Sequence, residues 1–248
     1  MSWHALYYPL KDGTEKEVGD LFRASGRPQF DVQDDDGTVV GRLLGTMAFV
    51  GRGKAIRVTE IDGALPKVAA HMSRQPEVRE FERQLEEHLS VHRDMRSPDG
   101  ARAFFRQAAM DSVQVVLGEQ GDASDWMGVF YPVKPGHEQA VRDAALSVRR
   151  PPSLSVQDES GNKVGRVRGM MFFVGAEKAL RLVKVEGDRS GFGMHMARQP
   201  AAREFQQRLD EHLAVDRSID SAGSARQFFA DAWLECVLSR RHDKEIAA

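Results

Sequence analysis

The chain has 248 residues, 41% of them hydrophobic and 29% charged, and a formal net charge of −2 with a pI near 6.5. Its basic residues are interleaved with acidic ones, so the electrostatic footprint of a nucleic-acid binder is missing. No apolar run approaches the roughly 20 residues that a membrane-spanning helix needs, and the first residues lack the basic-then-apolar pattern of a secretion signal, so a soluble cytoplasmic protein is expected.

The single cysteine, Cys236, excludes an intrachain disulfide and any multi-cysteine metal centre, leaving histidine and carboxylates as the ligands a metal would require. From Trp3 to Tyr8 an aromatic-rich alternating run ends at Pro9, which predicts a strand. Behind Asp12-Gly13, the residues Val18, Leu21 and Phe22 recur at helical spacing, so a helix follows over 14–24. Two β-like runs, Thr38–Val50 and Lys54–Ile61, are joined by Gly51-Arg52-Gly53 and read as a hairpin. Pro76 suits a first helical position, and Phe81, Leu85 and Leu89 stripe one face of the helix it opens. The segment Val91–Met95 is a candidate fourth strand, and Ala101, Phe104-Phe105 and Ala108 mark a last helix.

The same order then returns. His71-Met72-Ser73-Arg74-Gln75-Pro76 reappears 124 positions on as His195-Met196-Ala197-Arg198-Gln199-Pro200, and Glu87-His88-Leu89 as Glu211-His212-Leu213. Trp126 to Tyr131 repeats the first strand, Lys163–Val174 and Lys178–Val185 repeat the hairpin, and Val215–Ile219 repeats the candidate fourth strand. So long a correspondence at one offset marks duplication of a whole small domain. The expected boundaries are 1–118 and 126–238 for the two halves, with a polar linker over 119–125 and a flexible tail over 239–248. The fold class expected is α+β: two ferredoxin-like halves, βαββαβ plus an extra helix, packed sheet to sheet as an intrachain dimeric α/β barrel. A monomer with pseudo-twofold halves and a homodimer are both compatible with that arrangement.

Strand parity places Trp3, Ala5 and Tyr7 on one face, with Gly41, Gly45, Met47 and Phe49 sharing a face of the hairpin; Trp126, Gly128, Phe130 and Gly165, Gly169, Met171, Phe173 repeat them. Two readings stand: a face that fills the interface between halves, or a cavity wall with gaps at the glycines that suits a flat apolar ligand. The halves diverge where Leu65-Pro66-Lys67 faces Arg189-Ser190-Gly191 and where Phe192 has no aromatic counterpart at Val68, so unequal pockets are expected, the second with the roomier entrance. His71 and His195 precede the proline-started helix, where an imidazole can serve as a general base or simply hold the helix break. Arg74 and Arg198 read equally as anchors for a substrate oxyanion or as ion-pair partners of the loop. His88 and His92 have ligand spacing but no third ligand, and the second copy has His212 and Asp216 there, so no metal site is assigned. Arg57 and Arg181 match between copies and point either into the barrel or to its rim. No nucleotide loop, nucleophile elbow or zincin helix is present.

The stretch from Ala70 to Phe81, with its echo, resembles the His-then-Ser/Pro helix of antibiotic-biosynthesis-monooxygenase dimeric barrels. The duplicated layout with its Arg-Gln-Pro and Glu-His-Leu signatures is more similar to SchA/CurD-like proteins of aromatic polyketide clusters. The resemblance implies a tailoring monooxygenase that hydroxylates a polycyclic aromatic polyketide for an antibiotic or spore pigment, in transient contact with polyketide synthase components. It implies molecular oxygen as co-substrate and no organic cofactor, with a haem or metal oxygenase, or a non-catalytic binding or cyclase partner, as the alternatives. On this reading His71, His195, Arg74 and Arg198 are the catalytic candidates, and Trp3, Tyr7, Met47, Phe49, Trp126, Phe130, Met171, Phe173 and Phe192 the substrate-binding ones.

Overall fold

A computed structural model describes residues 1–34, 36–95, 97–118, 124–147, 154–158, 160–187, 199–215 and 222–241. The chain forms two compact units, Met1–Ala109 with the chain end from Cys236, and Met110–Glu235.

In the first unit the elements are β1 (Ser2–Pro9), α1 (Glu15–Ala24), β2 (Asp31–Gln33), β3 (Val39–Gly51), β4 (Lys54–Gly63), α2 (Leu65–Arg74), α3 (Pro76–Glu86) and α4 (Pro98–Ala108). Strand β4 lies between β1 and β3 and is antiparallel to both, which is the split βαβ arrangement the sequence predicts. Helices α1 and α3 cover one side of the sheet, where Val18, Phe22, Phe81 and Leu85 pack on Tyr8, Ala48, Val50 and Ala55. Gln75 ends α2 and starts α3 in an extended conformation that Pro76 enforces on the residue before it. Its buried carboxamide accepts from the Gln29 amide at 2.7 Å and donates to the Gln29 carbonyl at 3.3 Å. The repeated Arg-Gln-Pro signature is thus, in this copy, a clamp between the helix break and the loop before β2.

The candidate fourth strand at Val91–Met95 does not form; what remains is a single bridge between Leu10 and Leu89. The reason is Arg93. Its amide is committed to the Glu86 carboxylate at 3.1 Å, and its buried guanidinium donates to Glu86 at 2.7 Å and Glu82 at 2.8 Å, so the backbone is not free to join a ladder. The copy over Val215–Ile219 lies largely outside the described residues.

The second unit contains β5 (Ala109–Leu117), β6 (Ser124–Pro132), α5 (Glu138–Ser147), β7 (Leu154–Gln157), β8 (Lys163–Gly175), β9 (Lys178–Gly187), α6 (Pro200–Asp210) and α7 (Ala222–Ala232), and the start of β10 (Trp233–Arg241). Its strands run β10-β6-β9-β8-β5, again antiparallel, with β7 also against β8. Val141 and Ala145 of α5 and Phe205 and Leu209 of α6 cover Tyr131, Phe172, Val174 and Ala179. The sequence repeats and the compact units therefore differ at their ends: Met110–Leu117, which closes the first repeat, pairs with β8, and the last residues of β10 lie against β3. Ser239, Arg240 and Arg241, expected in a flexible tail, end that strand.

Candidate ligand-binding face

The helix-covered side of each sheet carries a hydrophobic core with Arg57 or Arg181 within it, and strand register places the predicted aromatic and methionine residues on the opposite side. In the first unit the register aligns Trp3 with Glu60, Ala5 with Val58 and Met47, and Tyr7 with Ile56 and Phe49. Met47, Phe49, Ile56, Val58 and Ala5 are buried, Trp3 sits at 9% exposure, and Tyr7 is half-buried, its phenol pushed above its ordinary pKa by that burial. The second unit repeats the face with Phe130, Leu180 and Phe173 in one row, Gly128, Leu182 and Met171 in the next, and Trp126 beside Lys184.

The glycines do not make gaps in this face. A bulge between Leu43 and Gly45 inserts one residue and reverses the parity, so Gly41 lies on the helix side, where a Cβ would meet Val68 at 3.6 Å. Gly45 remains on the ligand face, but a Cβ there would lie 3.4 Å from the Arg240 carbonyl; at Gly169 the Val116 carbonyl is 3.2 Å away. These glycines admit the close approach of a neighbouring strand backbone.

Sequence reasoning missed a buried acidic group on this face. Glu60, 6% exposed, shares the side of Trp3 and Met47 and accepts a hydrogen bond from Arg241. Its only signal was a carboxylate at the alternate position that Ile56 and Val58 fill with apolar side chains, and the second copy carries Lys184 at that place.

His71 and Arg74 lie elsewhere. Helix α2 packs through Val68 and Met72 on Val32, Leu43 and Ile61, which share the side of Arg57 and Ala55. His71 is thus on a helix across the sheet from Tyr7, Met47 and Phe49, and its buried Nε2 has no hydrogen-bond partner among the described residues. The Arg74 side chain is exposed, and its carbonyl accepts from Arg79. Phe192, His195 and Arg198 lie outside the described residues. Arg57 and Arg181 point neither into a barrel nor to a rim but into the helix-covered side, over the Phe81 ring at 4.4 Å and the Phe205 ring at 5.4 Å. Among the described residues no three His, Cys, Asp or Glu side chains converge as a metal site would, and His92 turns to Glu86 at 3.2 Å.

The model of the SchA/CurD like domain matches residues 1–117 and again 125–241. The chain belongs to the SchA/CurD-like family. It is 35% identical over 207 residues to the polyketide synthase CurD of Streptomyces cyaneus, covering 80% of this chain and 53% of that one. It is 32% identical to the 42.8 kDa protein in the whiE locus of Streptomyces coelicolor, over 75% of this chain and 44% of the other. This SchA/CurD-like chain thus spans about half the length of the curated relatives it matches. Its fold is shared with an anthrone oxidase-like protein at a TM-score of 0.53 and 10% identity, covering 100% of this chain and 96% of that one. The α+β class and the tandem duplication of the family domain are as the sequence predicts.

Proposed function

We propose that the chain is a tailoring oxygenase that holds a planar aromatic polyketide against the Trp3, Tyr7, Met47 and Phe49 face, and against its repeat at Trp126, Phe130, Met171 and Phe173. The observation that carries this reading is a buried aromatic and methionine surface interrupted by one carboxylate, Glu60. Support comes from a relative named as a polyketide synthase and from a fold shared with a protein described as anthrone oxidase-like.

The chemistry assigned is oxidation of an electron-rich phenol or anthrone by dioxygen with no organic cofactor. Glu60 takes the acidic proton, Arg241 holds the carboxylate in place, and the Tyr7 phenol hydrogen-bonds the resulting oxyanion, in a setting where excluded water strengthens each interaction. For an anthrone, the methylene carbon becomes a carbonyl with one oxygen atom, and the second oxygen leaves as water with the two methylene hydrogens. Substrate is the only reductant. His71 lies on a helix across the sheet from this face and is not assigned to proton transfer.

Oxygen-electrode assays of purified, metal-stripped protein with an anthrone test this. The expected result is uptake of one dioxygen per anthrone, with Glu60→Gln slower by roughly the 10²-fold that loss of a general base costs. Binding of the anthrone without uptake above buffer would replace the oxygenase with a cyclase or carrier role, and a Soret band in fresh protein would replace it with haem chemistry.

A further inference from the structure

The duplication supplies an internal control for a buried charge in the second unit. In the first unit Arg57 donates to Glu82 at 3.0 Å, so its guanidinium, over the Phe81 ring, is neutralised by a carboxylate that also receives Arg93 at 2.8 Å. In the second unit the equivalent arginine is Arg181 on β9, level with Val129 and Phe172, and the residue at the place of Glu82 is Gln206. Arg181 is 7% exposed and lies over the Phe205 ring at 5.4 Å. Among the described residues its Nε has no hydrogen-bond partner and no carboxylate pairs with it. Gln206, 5% exposed, places its Nε2 3.5 Å from the Tyr131 hydroxyl. A buried guanidinium deprived of its counter-charge is costly, whereas the paired version in the sister unit is balanced. Among the described residues, Arg181 therefore has no equivalent of the carboxylate that Arg57 has in Glu82.

We infer that Arg181, with Gln206 and the Phe205 ring, forms a binding site for a singly charged oxyanion, a carboxylate or phenolate oxygen, that takes the place Glu82 holds in the first unit. A guanidinium offers paired N–H donors that match such an oxygen, and the Gln206 carboxamide adds a neutral donor where a carboxylate would repel it. The ring face suits an anion whose remainder is flat and apolar. This site is on the helix-covered side of its sheet, opposite Phe130 and Met171, so it stands or falls separately from the oxygenase reading.

The test is thermal unfolding of the full chain at constant pH and ionic strength, titrated with acetate and, in parallel, with 4-nitrophenolate. Wild-type protein is expected to gain about 2–4 °C at a concentration roughly five times Kd. Gln206→Glu should start from a higher midpoint and lose the gain, and Glu82→Gln should add a second response in the first unit. Arg181→Met keeps the test open if Gln206→Glu misfolds, because it should fold at least as well as wild type and show no gain. A response to acetate alone would mark a small-carboxylate site and a response to 4-nitrophenolate alone an aromatic one. Equal gains in wild type and Gln206→Glu, or none in either, would overturn the inference.

Discussion

At the scale of single residues, the repeated signatures divide into those that build the fold and those that differ between copies. Gln75 is of the first kind: both ends of its carboxamide are bonded to Gln29, so Gln75→Ala strands a buried donor and acceptor and is expected to cost about 1–3 kcal/mol, read from chemical denaturation. The Glu-His-Leu signature is another, since Lys11 donates its amide to the His88 carbonyl at 2.8 Å and Lys134 repeats this with His212 at 2.9 Å. Tyr8 is titratable within the core. Burial first, then the Glu82 carboxylate, push its phenol up to about 12, against the lowering effect of Arg57 and Arg93. Since the folded value lies above the ordinary value of 10, this contribution is complete below pH 10 and is lost as pH rises toward 12. Tyr8→Phe should remove about 2–3 kcal/mol of that alkaline loss, measured as the difference in unfolding free energy between pH 9 and pH 12.

At the scale of elements, the bulged long strands β3 and β8 each place a glycine against a neighbouring strand's backbone. A Cβ at Gly169 would lie 3.2 Å from the Val116 carbonyl, a backbone atom that cannot rotate away, so Gly169→Ala should destabilise by roughly 1–3 kcal/mol; at Gly45, where a Cβ would lie 3.4 Å from the Arg240 carbonyl, the loss should be smaller. Equal and negligible losses in urea titrations would refute the close-approach explanation. Most elements were legible because their apolar spacing is local: the first strand, the first helix, the hairpin and the proline-started helix all follow periodicity. The bulge was not, because one extra residue leaves the sequence pattern intact while turning Gly41 to the other side. Nor was the failure of the Val91–Met95 strand, which depends on Glu82 and Glu86 capturing Arg93 from a different element. Strands β5 and β10 carry β-forming residues such as Val113, Val115 and Val116, or Val237 and Leu238, and were obscured by reading the preceding helix as the end of each half.

At the scale of the whole molecule, a duplicated family domain has diverged in charge on both sides of its sheets, with Glu60 against Lys184 on the aromatic face and Glu82 against Gln206 beneath the helices. The aromatic residues of the candidate site were readable from strand parity, while Glu60 emerged only when register placed it beside Trp3. The two units thereby carry different charges on a common scaffold, the first a buried carboxylate on its aromatic face and the second a lysine at that place and a glutamine where the first has Glu82. The measurement that tests the central assignment most directly is a crystal soaked with an anthrone under anaerobic conditions. The account predicts the rings stacked against Tyr7, Met47 and Phe49 with an acidic position toward Glu60; rings bound on the helix-covered side beside His71, with that face unvisited, would contradict it.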